Sequence, residues 1–273
     1  MTATYEHVRV HRSDAVVIVE LDNPPLNIIT LDVARDLVRL CAELAFGDAD
    51  IPDTSDDAVR AVVFRSAHRG LFTAGADITM MAQLEAGGDE LWSAFEEVAA
   101  VFDAVEQLPM PTICQLEGIA LGGGFELALA CDFRYAGDDL AQVGLPEVRI
   151  GLLPGGGGTQ RLARLVGAGV ATEMIMKGMR YDAATALAKG LVHEVIPADE
   201  LTATVELRAA SLAAQAPRAL RHIKTLIRAS FTHAGDDGLR LERELFRDLL
   251  STRDAAEGIA ALTDNRRPTF TGR

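Results

Sequence analysis

The first half of the chain alternates short apolar runs with segments of helical periodicity. Near-continuous apolar runs of strand length occupy Val16–Leu21, residues 61–64 and Thr112–Leu116, which is typical of strands buried on both faces. Thr30 precedes apolar residues at helical spacing and predicts a capped helix, and residues 89–107 predict an amphipathic one. This alternation of strands and helices predicts an α/β fold.

The last quarter of the chain has a different pattern, with helical periodicity and no strand between the segments. Helices are predicted over 199–215, 217–232, 236–251 and 254–264. We therefore predict two parts, a core over residues 1–200 that holds the functional site and a helical module over 201–273. Residues 47–58 are acidic and lack periodicity, which predicts a solvated loop.

Charge and cysteine content exclude several classes of protein. The chain has 273 residues, with 40 acidic and 26 basic side chains and a net charge of −14, which disfavours binding to nucleic acids or anionic membranes. The three cysteines (Cys41, Cys114 and Cys131) form no paired motif, so we expect buried thiols and no disulfide framework. No secretory signal and no apolar run of about 18 residues occurs, which predicts a cytoplasmic protein.

Two glycine clusters, at residues 122–124 and 155–158, fail the tests for familiar nucleotide motifs. No Gly-Lys-Ser/Thr sequence is present, and a dinucleotide fingerprint would need glycine where Leu127 and Gln160 stand. The Gly-x-Ser-x-Gly elbow of serine hydrolases is also absent, and no His/Cys spacing suggests a metal site. The glycines therefore need another explanation.

Gly122–Gly124 follow a predicted strand and open a predicted helix. The first amides of a helix have no partner within the helix and lie at the positive end of its dipole, so they can bind an oxygen that gains negative charge. Glu126 lies three residues after Gly123, on the same helix face, which would place a carboxylate beside that oxygen. The alternative is that Glu126 only favours the helix dipole.

Two further segments could complete such a site. Glu147 follows a proline in a segment flanked by apolar residues, and two carboxylates in one pocket would separate their pKa values; alternatively, Glu147 lies on a surface loop. The turn at residues 72–78, FTAGADI, could direct the amide of Ala76 toward the same point as that of Gly123. We interpret Asp77 as the N-cap of the next helix rather than as a catalytic group.

Four motifs in order give the chain a family resemblance along nearly its whole length. They are FTAGADI at 72–78, GIALGGGFELALACDFRYA at 118–136, LPEVRIGLLPGGGGTQRL at 145–162 and GMRYDAATALAKGLVHEVIP at 178–197, with FTGR at the end. With them the chain resembles the enoyl-CoA hydratase/isomerase (crotonase) superfamily. The resemblance implies an α/β fold, a crotonase-like spiral of ββα units with a C-terminal helical trimerisation module. It also implies a homotrimer or hexamer that binds acyl-CoA.

The resemblance also implies roles for individual residues. Ala76 and Gly123 would donate the two amides of an oxyanion hole, and Glu126 and Glu147 would be the catalytic carboxylates. Residues expected to contact CoA or substrate are Leu26, Ala74, Asp77, Ile78, Gly122, Gly155, Phe270 and Arg273, the last two in the same or a neighbouring subunit. Coenzyme A would enter as part of the thioester, with no separate cofactor and no metal.

The presence of both glutamates favours one of the reactions known in the family. Hydratases resemble one another in having both carboxylates, which implies addition of water to a trans-2-enoyl-CoA, with a proton from Glu147 to C2 and Glu126 as partner base. An enoyl-CoA isomerase, or another enolate-forming enzyme, is the alternative, and a non-catalytic acyl-CoA-binding oligomer is a third hypothesis. Thr79 and Thr271 stand where many relatives have lysine, which predicts weaker and more salt-sensitive binding of CoA.

Overall fold

The strands of this computed structural model, which describes residues 5–46, 58–138 and 142–273, form two sheets. The six-stranded sheet has the order β1-β2-β3-β5-β7-β10 and consists of β1 (Val8–Ser13), β2 (Val16–Leu21), β3 (Ala61–Ser66), β5 (Thr112–Leu116), β7 (Phe133–Gly137) and β10 (Glu194–Ile196). The four-stranded sheet has the order β4-β6-β8-β9 and consists of β4 (Gly70–Thr73), β6 (Gly118–Leu121), β8 (Gln142–Gly144) and β9 (Arg180–Asp182).

Helices surround these sheets and continue to the end of the chain. They are α1 (Leu31–Phe46), α2 (Ile78–Gln107), α3 (Gly123–Ala130), α4 (Gly158–Lys177), α5 (Ala183–Ala188), α6 (Leu201–Ala213), α7 (Pro217–Ala229), α8 (Asp237–Leu250) and α9 (Arg253–Thr263), with a short 3-10 helix at Glu147–Ile150. The predicted α/β class is confirmed. Across the described ranges, no helix is long and apolar enough to cross a membrane. The cytoplasmic location stays a prediction.

The central strands are apolar on both faces because both faces of the sheet are covered. In β3, Val62 and Phe64 belong to one buried cluster, together with side chains of α1 and α2. Ala61 and Val63 belong to a second cluster, which includes residues of α6. Because successive side chains of a strand point to opposite faces, one short run supplies both clusters. The predicted strand at residues 61–64 is thereby confirmed.

The first sheet passes directly into the second at two equivalent places. β3 is followed by β4 and β5 by β6, and the two following strands pair in parallel. At the second crossing Gly118 has φ of +133°, and a Cβ there would collide with the backbone of Gly70. Only glycine permits this close approach. The carboxyl ends of β4 and β6 therefore meet, and each leads into a turn of the candidate site.

The helices after residue 200 differ in how deeply they pack. α6 lies on the six-stranded sheet through Leu201, Val205 and Ala209, all buried. α8 has no buried residue, although it carries apolar side chains such as Phe246. The four predicted helices are confirmed, with ends that differ by up to three residues. The division at residue 200 stays a prediction, and of the predicted loop 47–58 all but the last residue lies outside the described residues.

Candidate active site

The amides of Ala76 and Gly123 lie side by side at the carboxyl ends of β4 and β6. A methyl group placed on Gly123 would lie 3.1 Å from the Ala76 nitrogen. Neither N–H group donates to another described residue. Gly122, with φ of +54°, turns the chain from β6 into α3, so that the Gly123 amide is the first of the helix. Two unpaired amides at one place can bind a single oxygen that carries negative charge.

The segment around Leu26 forms one wall of this turn. The amide of Ala74 donates to the Leu26 carbonyl at 3.1 Å, and that of Ile29 donates to the Gly75 carbonyl at 2.9 Å. Asn27 is buried, and its side-chain nitrogen contacts acceptors from three elements at 2.8 to 3.2 Å: the Leu21 carbonyl, the Ser66 hydroxyl and the Phe72 carbonyl. The structure therefore brings Leu26, whose side chain is exposed, next to Ala74.

Glu126 is a buried carboxylate held by two backbone amides. Its Oε1 accepts hydrogen bonds from Gly156 N at 2.8 Å and Gly158 N at 2.7 Å. Burial raises the pKa of Glu126, whereas the two amides and the charge of Arg161 act in the opposite direction. Its Oε2 accepts no hydrogen bond from the described residues and is the atom open to chemistry.

Glu147 begins the short 3-10 helix and has the opposite environment. Its Oε2 is buried and has no hydrogen-bond partner among the described residues. Burial raises the pKa of Glu147 to about 7, and the negative charge of Glu126 adds to the rise, while a hydrogen bond to its own backbone opposes it. This carboxyl group can therefore gain or lose a proton near neutral pH.

The two carboxylates converge beside the amide pair. A methyl group placed on Gly122 would lie 3.3 Å from Oε1 of Glu147, and one placed on Gly156 would lie 2.8 Å from Oε2 of Glu126. Glu126 also influences the pKa of Glu147 through its charge. The structure thus brings together Glu126, Glu147, Ala76 and Gly123, which the sequence separates by up to 71 positions. Their spacing in the chain did not require this.

The structure describes the surroundings of some of the remaining predicted residues and leaves the side chains of others undescribed. Gly155 packs against the ring of Phe95, which a Cβ would approach to 2.6 Å. Asp77 follows Ala76 directly, and the side chains of Ile78 and Thr79 at the start of α2 lie outside the described side chains.

The C-terminal residues Phe270 and Arg273 lie against other parts of their own chain. The Phe270 carbonyl accepts a hydrogen bond from Arg60, and the Arg273 carbonyl accepts one from the amide of Asp254. None of the contacts described for the two residues involves Ala76 or Gly123. A contact of Phe270 or Arg273 with CoA stays a prediction.

Sequence reasoning missed how Glu126 is held. The amides of Gly156 and Gly158 come from a loop 30 and 32 positions further along the chain. The guanidinium of Arg161 holds the same loop by donating to the Gly156 carbonyl at 2.6 Å. A signal was present, because four consecutive glycines indicate a backbone that other groups approach closely. Its partner could not be known from sequence.

The described part of the chain contains no group of three His, Cys, Asp or Glu side chains placed to hold a metal ion. The three cysteines are free and buried, which confirms that interpretation.

Comparison with known proteins identifies relatives along nearly the whole chain. The family model "Enoyl-CoA hydratase/isomerase" matches residues 11–273. The chain is 36% identical to "Probable enoyl-CoA hydratase echA8" of Mycobacterium bovis, over 99% of this chain and 100% of that protein. It is 34% identical to "Enoyl-CoA isomerase/hydratase fer4" of Mycosarcoma maydis, over 93% of this chain and 91% of that one.

A solved structure has the same fold. The crystal structure of an enoyl-CoA hydratase from Bacillus anthracis matches with a TM-score of 0.89 and 32% identity, covering 98% of this chain and 100% of that chain. The crotonase-like fold predicted from the motifs is thereby confirmed. With its family match, its relatives and its fold in agreement, the chain belongs to the enoyl-CoA hydratase/isomerase family.

Proposed function

We propose that this protein hydrates the 2,3 double bond of trans-2-enoyl-CoA thioesters to give 3-hydroxyacyl-CoA. One observation carries the proposal: two carboxylates in contrasting environments converge beside a pair of unpaired amides. Glu126 has two amide donors and a nearby cation, whereas Glu147 has a buried oxygen without a donor and a pKa of about 7. Hydration needs one group that accepts a proton and one that donates a proton.

The amide pair suits the thioester carbonyl. As electrons move toward that oxygen, the N–H groups of Ala76 and Gly123 stabilise the developing enolate, and they require no rearrangement to do so. The coenzyme A portion, which arrives as part of the substrate, would extend along Leu26, Ala74, Asp77 and Ile78, with Gly122 and Gly155 at its acyl end. No further cofactor is proposed.

The proton transfers then balance. The oxygen of water forms a bond to C3, and its proton passes to Glu126, while the electrons of the double bond move toward the thioester oxygen. Glu147 gives its proton to C2 as the enolate collapses. The catalytic pair ends with its proton on Glu126 rather than on Glu147, and proton exchange restores the starting state. The two carboxylates titrate as a coupled pair, so their apparent pKa values belong to both.

Crotonyl-CoA provides the direct test, because hydration removes the ultraviolet absorbance of the conjugated enoyl thioester. We expect the absorbance to fall on addition of the protein and 3-hydroxybutyryl-CoA to accumulate. A panel of chain lengths extends the assay. Absence of hydration with every chain length would overturn the proposal.

Isomerisation of 3-enoyl-CoA is the second candidate. The observation that favours it is the name of the relative from Mycosarcoma maydis, which includes both activities. A carboxyl group with a pKa of about 7, such as Glu147, can also move a proton between C2 and C4. Incubation with 3-enoyl-CoA separates the two, because an isomerase produces the absorbance that a hydratase consumes.

We further propose that the chain assembles as a homotrimer, alone or in pairs, through its C-terminal helices. Large apolar side chains on α8 and α9 are more than half exposed, including Phe246 at 62%, Ile259 at 63% and Leu262 at 84%. A second copy of the chain would bury them. Phe270 and Arg273 would then reach the CoA of a neighbouring subunit. Light scattering tests this, and a monomer at micromolar concentration would contradict it.

A further inference from the structure

Arg161 is a nearly buried cation that the chemistry above does not use directly. It lies in the first turn of α4, and 9% of the residue is exposed. One guanidinium nitrogen, Nη1, donates to the Gly156 carbonyl at 2.6 Å. The other two nitrogens bind acids of α2: Nη2 contacts Asp103 at 2.6 Å and Glu106 at 2.7 Å, and Nε contacts Glu106 at 3.1 Å. Every nitrogen of the planar group thus has a partner.

The Gly156–Gly158 loop, which Arg161 contacts, is also the loop that binds Glu126. Gly156 receives Arg161 on its carbonyl and gives its N–H to Glu126 Oε1. Gly157 has φ of +95°, and a Cβ there would collide with Nη1 of Arg161. This conformation turns the amide of Gly158 toward the same carboxylate oxygen. The guanidinium therefore lies against the outer side of a loop whose inner side holds the proton acceptor.

Residues of α2 make this arrangement rigid. Asp103 is mostly exposed and Glu106 is partly buried, and together they fix the plane of the guanidinium. Arginine suits such a position because its donors form a fixed fork, whereas lysine offers one point charge. The carbonyl of Glu106 also accepts a hydrogen bond from Arg228 of α7 at 2.8 Å. The loop is thus connected to α2 and, through it, to α7.

We propose that Arg161 is a positioning residue for hydration, which holds the Gly156–Gly158 loop so that its amides orient Glu126 toward the reacting water. This inference rests on the proposed function, because it gives Glu126 its role. Among the described residues, the charged groups around Glu126 are Glu147 on the 3-10 helix, Arg161 on α4 and, behind Arg161, the two acids of α2. Arg161 is the cation among them, and its charge favours the carboxylate form of Glu126.

Arg161→Met removes both the hydrogen bond and the charge. We expect kcat for crotonyl-CoA hydration to fall about 100-fold, because a small displacement of a catalytic group costs about that much. KM should change less than about threefold, since Arg161 touches neither the amide pair nor the CoA path. The acidic limb of the pH profile of kcat should move to higher pH, because loss of the cation raises the pKa of Glu126.

Arg161→Lys separates the two effects. It keeps the charge, so the acidic limb should stay near its wild-type position, while kcat recovers only in part because lysine cannot hold Gly156 and both acids together. The matched control is Arg164→Met, which removes an exposed arginine of the same helix that lies over the ring of Phe231. Its kcat, KM and pH profile should match those of the wild type.

A readout that needs no turnover keeps this inference separate from the proposed function. Carboxyl ¹³C NMR of glutamate-labelled protein, with Glu126→Gln for assignment, measures the titration of Glu126 directly. An upward shift in Arg161→Met supports the inference even where no substrate is hydrated. Wild-type kcat and an unmoved Glu126 titration in Arg161→Met would overturn it. Should that variant not fold, wild-type kcat in Arg161→Lys, which shows the fork to be dispensable, would overturn it instead.

Discussion

Two regions of the site present the same side chain in opposite environments. The carboxylate of Glu126, on α3, lies against the Gly156–Gly158 loop. Its Oε1 accepts two amide hydrogen bonds there, and Arg161 contacts the other side of the loop. Glu147 opens a 3-10 helix, and its Oε2 is buried without a donor. Burial raises the pKa of both groups. Two backbone amides and the charge of Arg161 oppose the rise at Glu126, whereas a hydrogen bond to its own backbone opposes it at Glu147.

The difference shows how one residue type can supply both an acid and a base. Hydrogen-bond donors and a nearby cation favour the charged form of a carboxylate, whereas burial favours its protonated form. Under the proposed function, the two glutamates would transfer protons near neutral pH without a histidine. What distinguishes the two glutamates is backbone geometry around them, not their chemistry or their exposure alone.

Removing each carboxylate in turn tests whether both glutamates are needed for turnover, and it should have the largest effect. Glu126→Gln and Glu147→Gln should each lower kcat about 10²–10⁴-fold, because general acid or base catalysis contributes about that much. Binding of CoA should be largely kept. Crotonyl-CoA kinetics measure the first effect and calorimetry with CoA the second. Glu173→Gln, at a partly exposed glutamate of α4, is the control. Near-normal turnover in either site variant would refute the role of that glutamate.

Adding a methyl group at Gly156 tests the environment of Glu126 without changing Glu147. A Cβ at Gly156 would collide with the ring of Phe102 and lie 2.8 Å from Oε2 of Glu126. Gly156→Ala should therefore lower kcat about 100-fold and destabilise the fold by about 1–3 kcal/mol. Gly169→Ala, where nothing lies within 4 Å, should leave both unchanged or stabilise the helix slightly. Equal behaviour of the two variants in kinetics and thermal unfolding would contradict this account.

The pH dependence of the rate tests the proposed role of Glu147 as the proton donor. Its pKa of about 7 means that the acid form is lost as pH rises above that value. Initial rates of crotonyl-CoA hydration should therefore fall about tenfold per unit above the apparent pKa of the pair. In Glu147→Gln the residual rate should lack this limb. A wild-type rate that stays level from pH 6 to pH 9 would show that the proton comes from elsewhere.

The smallest expected effect is on stability. The folded state raises the pKa of Glu147 from its ordinary 4.5 to about 7, so between these values the folded protein binds more protons than the unfolded chain. Stability is therefore lost as pH rises through this window. Glu147→Gln removes that cost, and we expect a gain of about 1–3 kcal/mol at pH 8.5 with little gain at pH 4. Denaturant unfolding at both values measures the difference, and equal gains would contradict it.

Much of the fold could be predicted because its signals are local. The apolar runs of β2, β3 and β5, the Thr30 cap and the C-terminal helices follow from periodicity alone. The short strands β8, β9 and β10 could not be predicted in this way. Each has three residues, too few for a pattern, and they form because neighbouring strands are already in place.

Local patterns in the chain identify the glycines that turn each strand into the site, the two glutamates and the apolar runs that become buried strands. Long-range packing makes the amides of Ala76 and Gly123 neighbours, and it brings Gly156 and Gly158 to one carboxylate but not to the other. The physical reason is that a pKa depends on burial and on donors in space. Here those donors come from segments about 30 residues away, which no local pattern identifies.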